Sequence, residues 1–129
     1  MKPKGIITLI AALLVAAVVH AVATRTFLGR SVLGISTVAV RNDSDTPLRS
    51  VIIELADSRR TNITRRFEIV QPHQSVRVRV RTSDLYVHKM SCNQGQRSIA
   101  YDDVDIASQG EVLELVVGST GDISKSYGN

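Results

Sequence analysis

The run Tyr86-Val87-His88-Lys89-Met90-Ser91-Cys92 sets three metal-capable side chains at alternate positions. In an extended strand alternate side chains share a face, so His88, Met90 and Cys92 point the same way. Imidazole, thioether and thiolate together suit a soft metal such as Cu(I). Same-face neighbours stand roughly 7 Å apart at the usual strand rise, so one ion would need the strand to bend. The competing expectation is a packed strand face, because Met and Cys are among the residues most often buried for packing alone. On that reading Tyr86, His88 and Met90 face the core, and Leu85 and Val87 face the other way. Packing is the expectation, and soft-metal (copper) handling through His88, Met90 and Cys92 is the alternative. Cys92 is the only cysteine. It excludes an intramolecular disulfide and leaves a Cys92-linked dimer open, since it falls beside a turn where exposure is expected.

Arg77, Arg79 and Arg81 alternate with Val76, Val78 and Val80. Three guanidiniums on one face offer bidentate binding of phosphate or carboxylate. Arg59, Arg60, Arg65 and Arg66 lie on a neighbouring strand and loop. The bland reading is a solvated face neutralised by Glu54, Glu68, Glu111 and Glu114 across the sheet. Nucleic acid is not expected, because no aromatics interleave the arginines to stack bases. Asp102, Asp103 and Asp105 form an acidic cluster, with Asp103 and Asp105 on one face by alternation. No loop around them supplies the six or more oxygens that calcium takes, so a turn or strand-end role is expected. Asn42-Asp43-Ser44 and Asn62-Ile63-Thr64 match the N-glycosylation pattern, at two expected turns.

The motifs of common enzymes are missing: GxSxG, HExxH, CxxC and a Gly-rich phosphate loop. His20 lies in a hydrophobic segment, His73 in a turn and His88 on a strand, so no base and nucleophile pair up. The sequence therefore points to a non-catalytic protein and implies no cofactor.

These candidates must be positioned by the elements around them. The chain has 129 residues, 16 Lys plus Arg against 12 acids, and no Trp. One domain with a core of Val, Ile and Leu is expected. Residues 1–24 open with Lys2 and Lys4 and continue as an uncharged run to Thr24. Two readings compete: a signal anchor, since about 20 apolar residues span a bilayer, or a signal peptide cleaved after Ala21-Val22-Ala23. The run approaches full spanning length, which favours the anchor. Residues 25–34 read as a juxtamembrane connector.

From Ile35 the period changes to two. "ISTVAVRN", "LRSVIIEL", "TRRFEIV", "SVRVRVRT", "LYVHKMSC", "RSIAYDDVDI" and "EVLELVVG" alternate between turn clusters such as Asn42–Asp45, Gln71–Gln74 and Asn93–Gln96. About seven short strands at this spacing, with no helix between them, indicate an all-β antiparallel sandwich over residues 35–118. Residues 119–129 read as a flexible tail.

"VAVRNDSDTPLRSVIIEL", "FEIVQPHQSVRVRVR" and the closing "GEVLELVVG" resemble small bacterial envelope proteins. Those carry one N-terminal hydrophobic segment and one immunoglobulin-like β-sandwich. A Pro-Gly-type turn belongs to that pattern; here it reads Pro72-His73, without the glycine. The resemblance implies a seven-stranded immunoglobulin-like fold behind one hydrophobic helix and a place in the envelope. The domain would then lie in the periplasm, tethered to the inner membrane or released by cleavage at Ala23. It implies no catalytic activity. The expected role is a binding or accessory module meeting a protein or an anionic envelope partner.

Overall fold

The computed structural model describes residues 3–128. A long helix, α1 (Pro3–Ala23), is followed by a short one, α2 (Phe27–Leu33). Nine strands come next: β1 (Ile35–Asn42), β2 (Leu48–Ala56), β3 (Asn62–Val70), β4 (Ser75–Arg81), β5 (Asp84–Gln94), β6 (Arg97–Tyr101), β7 (Asp105–Ser108), β8 (Val112–Val117) and β9 (Ile123–Gly128). They form two sheets. One runs β4-β1-β8-β9; the other runs β3-β2-β5-β6, with β7 pairing the first half of β5. The fold is thus an all-β, sandwich-like domain behind an N-terminal helix.

Two strands exceed the expected seven. "RSIAYDDVDI" is interrupted at Asp102–Val104, so β6 and β7 pair in turn with the two halves of the long β5. The tail is not frayed: Ile123–Gly128 pairs antiparallel with Val112–Val117. All neighbouring strands are antiparallel except β1 and β8, where Val38 lies beside Leu113 and Val40 beside Leu115.

The core is aliphatic, as the composition requires. Val38 and Val40 of β1, Leu113 and Leu115 of β8, Val78 of β4, and Val51, Ile53 and Leu55 of β2 are all buried. Each such side chain contributes about 1.5–3 kcal/mol by leaving water. In β2 both Leu48 and Val51 are inward although they differ in parity. Ser50, at φ 51°, is the reason: the register against β5 jumps between Arg49 and Ile52, and the extra residue resets the alternation.

The turn at Asn42–Thr46 is built on one amide. Asn42 is fully buried; its Nδ2 donates to the Thr46 and Val70 carbonyls at 2.8 and 3.1 Å. Its Oδ1 accepts from the Ser44 amide and hydroxyl at 3.1 and 2.6 Å. The turn after β3 also resolves the missing glycine. His73 itself adopts φ 60° behind Pro72, the left-handed position that glycine occupies most readily. Its amide donates to the Asn42 carbonyl at 2.7 Å, and its ring meets Asp45 at 3.0 Å.

The N-terminal part is distinct from the core. Lys4–Ala23 is long and apolar enough to cross a membrane, and none of it is buried in the fold. The connector contains a helix. Thr26 caps it by accepting from the Gly29 amide at 3.0 Å, and Gly34 closes it at φ 70°. Gly29 is required by contact: a Cβ there would overlap the backbone of Ala23. The turn from α1 to α2 is therefore tight.

Candidate functional site

The side chains of β5 do not keep one alternation. Against β2, Glu54 faces Lys89 and Leu55 faces Val87, which leaves His88 without an opposite residue. This bulge shifts the phase by one. Leu85 and Val87 are inward before it, and Met90 and Cys92 are inward after it. His88 is turned out to solvent. The expected common face of His88, Met90 and Cys92 is therefore corrected: two of the three belong to the core and the third does not join them. Tyr86 is half-buried rather than inward, and Leu85 and Val87 take the core positions expected of its row.

Cys92 is also not an exposed strand-end thiol. Its residue is 4% exposed, and burial pushes the thiol up to about 11. Against an ordinary thiol at 9.0, the thiolate at neutral pH is depleted roughly 100-fold. The native protein is expected to react with a disulfide-exchange reagent at least that much more slowly than a cysteine peptide, and to run as a monomer without reductant. Labelling at the peptide's rate would return Cys92 to the surface and reopen the covalent dimer.

The arginines of β4 divide between two relations. β4 is an edge strand, and Arg77, Arg79 and Arg81 all stand on the outer face of its sheet, exposed as expected. Arg81 is committed to structure: its Nε donates to the Leu33 carbonyl at 3.1 Å and closes the C-terminal end of α2. The Gln109 side chain donates to the Ser31 carbonyl beside it. Arg77 lines a cavity together with Arg30 of α2, which is 1% exposed. Arg30 Nε donates to the Gly110 carbonyl at 3.1 Å, and its Nη2 is buried without a hydrogen-bond partner among the described residues. Burial, followed by the positive charges of Arg77 and Arg79, holds the Arg30 guanidinium below its ordinary value.

A cavity of about 190 Å³ opens on this face. Arg25, Arg30, Arg77, Glu114 and Ser126 are among its walls. Glu114 is the carboxylate of the group, and Arg41 Nη1 holds it at 2.8 Å. Thr37, on the same outer row by register with Arg79 and Val112, is fully buried, and its hydroxyl has no partner among the described residues. The arrangement concentrates positive charge around a partly enclosed, polar space, which suits an anion. Arg59, Arg60, Arg65 and Arg66 do not join it. They belong to β3 and the turn before it, in the other sheet, where Arg66 pairs with Glu68 at 2.9 Å. Arg25 and Arg30 carry no motif in the sequence beyond their charge.

The acidic cluster is divided too. Asp102 and Asp103 are exposed, but Asp105 is buried at the start of β7. Its carboxylate accepts from the Tyr101 hydroxyl and from Lys125 Nζ, the latter at 2.6 Å. Burial alone raises the Asp105 carboxyl; Lys125 and Tyr101 outweigh it and hold the group below its ordinary value. The same contact, behind burial, raises the Tyr101 phenol, and it raises Lys125. Tyr101 and Asp105 come from one sheet and Lys125 from the other, so this is a clasp between sheets. Among the described residues no group of three or more His, Cys, Asp or Glu is placed to hold a metal ion.

No protein-family model matches the chain, and no curated protein matches it. Solved structures align with most of its length. A protein from Eubacterium rectale solved by NMR aligns over 72% of this chain and 87% of its own, at 9% identity and a TM-score of 0.48. The N-terminal domain of AlgF from P. aeruginosa aligns over 74% and 95%, at 14% identity and 0.42. A disulfide-locked mutant of intermedilysin with human CD59 aligns over 73% and 24%, at 14% identity and 0.41. None of the three reaches a TM-score of 0.5.

Proposed function

We propose that the protein is a non-catalytic, membrane-tethered binding module of the bacterial envelope. On this reading α1 crosses the inner membrane and an immunoglobulin-like sandwich stands in the periplasm. The observation that carries it is the join between helix and domain. The apolar α1 finds no cover anywhere in the fold, yet it leads through a tight turn into α2. That helix is held to the sandwich by Arg30, Arg81 and the Gln109 side chain. A retained α1 therefore meets the domain at a fixed point. Leu28 and Val32, one helical turn apart on α2, are 72% and 77% exposed. They suit a helix lying in the membrane interface. The immunoglobulin-like reading is supported by two largely antiparallel sheets and by a first strand pairing in parallel near the end of the domain.

The test is fractionation of bacteria producing the full chain, followed by intact mass and protease treatment of spheroplasts. The expected result is an uncleaved chain that stays in the membrane through a carbonate wash, with its sandwich open to protease. A soluble chain beginning at Thr24 would remove the tether. A membrane-held sandwich protected from protease would reverse the orientation.

A further inference from the structure

We propose that the cavity bounded by Arg25, Arg30 and Arg77 binds a phosphoryl oxyanion, supplied by the headgroup of an anionic membrane lipid. The lipid source rests on the tethered reading above; the oxyanion site does not.

Three observations converge on it. Arg30 is almost fully buried, yet one of its terminal nitrogens has no partner among the described residues. A buried charged donor left unpaired is costly, and such groups mark a missing acceptor. Arg30 and Arg77 line the same cavity with Arg25, so three like charges border one space. The cavity they border, about 190 Å³, holds the equivalent of roughly six waters at about 30 Å³ each. That admits a tetrahedral oxyanion with some of its hydration. Guanidinium forks match phosphate oxygens in pairs, which an ammonium does not. Glu114 lines the cavity, but its charge is already drawn off by Arg41.

Position supplies the source. Arg25 lies two residues beyond the end of α1, and α2 exposes Leu28 and Val32 on its outer surface. If α1 spans the bilayer and α2 lies at the interface, Arg25 and Arg30 stand at headgroup depth. Anionic leaflets attract basic residues there.

The experiment uses the full chain, labelled with ¹⁵N-arginine, in phosphatidylcholine and in phosphatidylglycerol nanodiscs. Inorganic phosphate is the soluble probe, and chloride at equal ionic strength is the control. The readout is the Nε–Hε resonance of Arg30, assigned by its loss in Arg30→Lys. In phosphatidylcholine, phosphate is expected to shift this resonance saturably and chloride is not. Arg77→Gln is expected to weaken phosphate binding at least about tenfold, the worth of one charge-assisted contact. The same variant should melt higher than wild type without phosphate, because a repulsion with Arg30 is relieved. A solvated Arg77 would change neither. In phosphatidylglycerol the resonance should already be shifted before phosphate is added. A response to phosphate with none to phosphatidylglycerol would overturn the lipid source and leave a soluble phosphate ester. No response to either, or equal affinity in Arg77→Gln, would overturn the site. A chain cleaved before Thr24 would lose the tether yet still bind phosphate. An anchored chain with an unresponsive Arg30 would keep the tether and lose the site.

Discussion

Asn42→Ala is expected to cost about 3 kcal/mol of folding stability. The amide is fully buried and makes four hydrogen bonds, two as donor and two as acceptor. Alanine leaves the Val70 carbonyl and the Ser44 amide without these partners, and each stranded buried group costs about 1–3 kcal/mol. Asn42→Asp separates the two halves of the network. Its second oxygen faces the Thr46 and Val70 carbonyls, where a donor is required. Burial and those carbonyls raise the aspartate above its unfolded value near 3.9. The variant therefore binds more protons folded than unfolded, and its deficit should grow as pH rises through the carboxylate range. Denaturant unfolding in detergent micelles at pH 4 and pH 7 measures both. A change under about 0.5 kcal/mol in Asn42→Ala would mean that the turn is held by other contacts. In the folded domain the Asn42 amide is buried and hydrogen-bonded, so a glycan at Asn42-Asp43-Ser44 would have to be attached before folding.

Asp105→Asn is expected to cost about 2–3 kcal/mol at neutral pH. The substitution keeps the shape but removes the charge that Lys125 and Tyr101 share. It falls short of a fully buried broken pair because Lys125 is half in water. The three titrations define a window. The lowered Asp105 carboxyl gives stability that is present above about pH 3.9 and lost as pH falls through its folded value. The raised Tyr101 phenol and Lys125 ammonium give stability that is present below about pH 10 and lost as pH rises through theirs. The gap between wild type and Asp105→Asn should be widest between these limits and close towards acid. A gap that is constant with pH would show that the carboxylate's charge contributes nothing.

Strand rhythm was the legible part of this chain. Val76, Val78 and Val80 could be placed inward from spacing alone, because a half-buried strand repeats every two residues. Whatever changed that period was hidden. The extra residues Ser50 and His88 each reverse the faces of everything beyond them, and nothing in "LRSV" or "VHKM" announces an insertion. β9 was missed because "ISKSYG" contributes mainly backbone hydrogen bonds and one partly buried residue, Ile123. α2 has only seven residues, too few for a periodic signal, and its cap and closing glycine had to be recognised together. The site divides in the same way. The arginines of β4 stood out as a stripe, whereas Arg30 acquires its meaning only from the cavity it shares with Arg77, which a linear reading does not bring near it.

The parallel pairing of β1 with β8 bears on the order in which the domain is made. β1 leaves the ribosome first among the strands, but both neighbours are late: β4 ends at Arg81 and β8 at Val117. Until they arrive, "STVAV" is an apolar ribbon with two open edges, the kind of segment that recruits other chains. Such long-range closure slows folding. The strand nearest the helix thus waits for β8, and the nascent chain must be kept from its neighbours until Val117 has emerged.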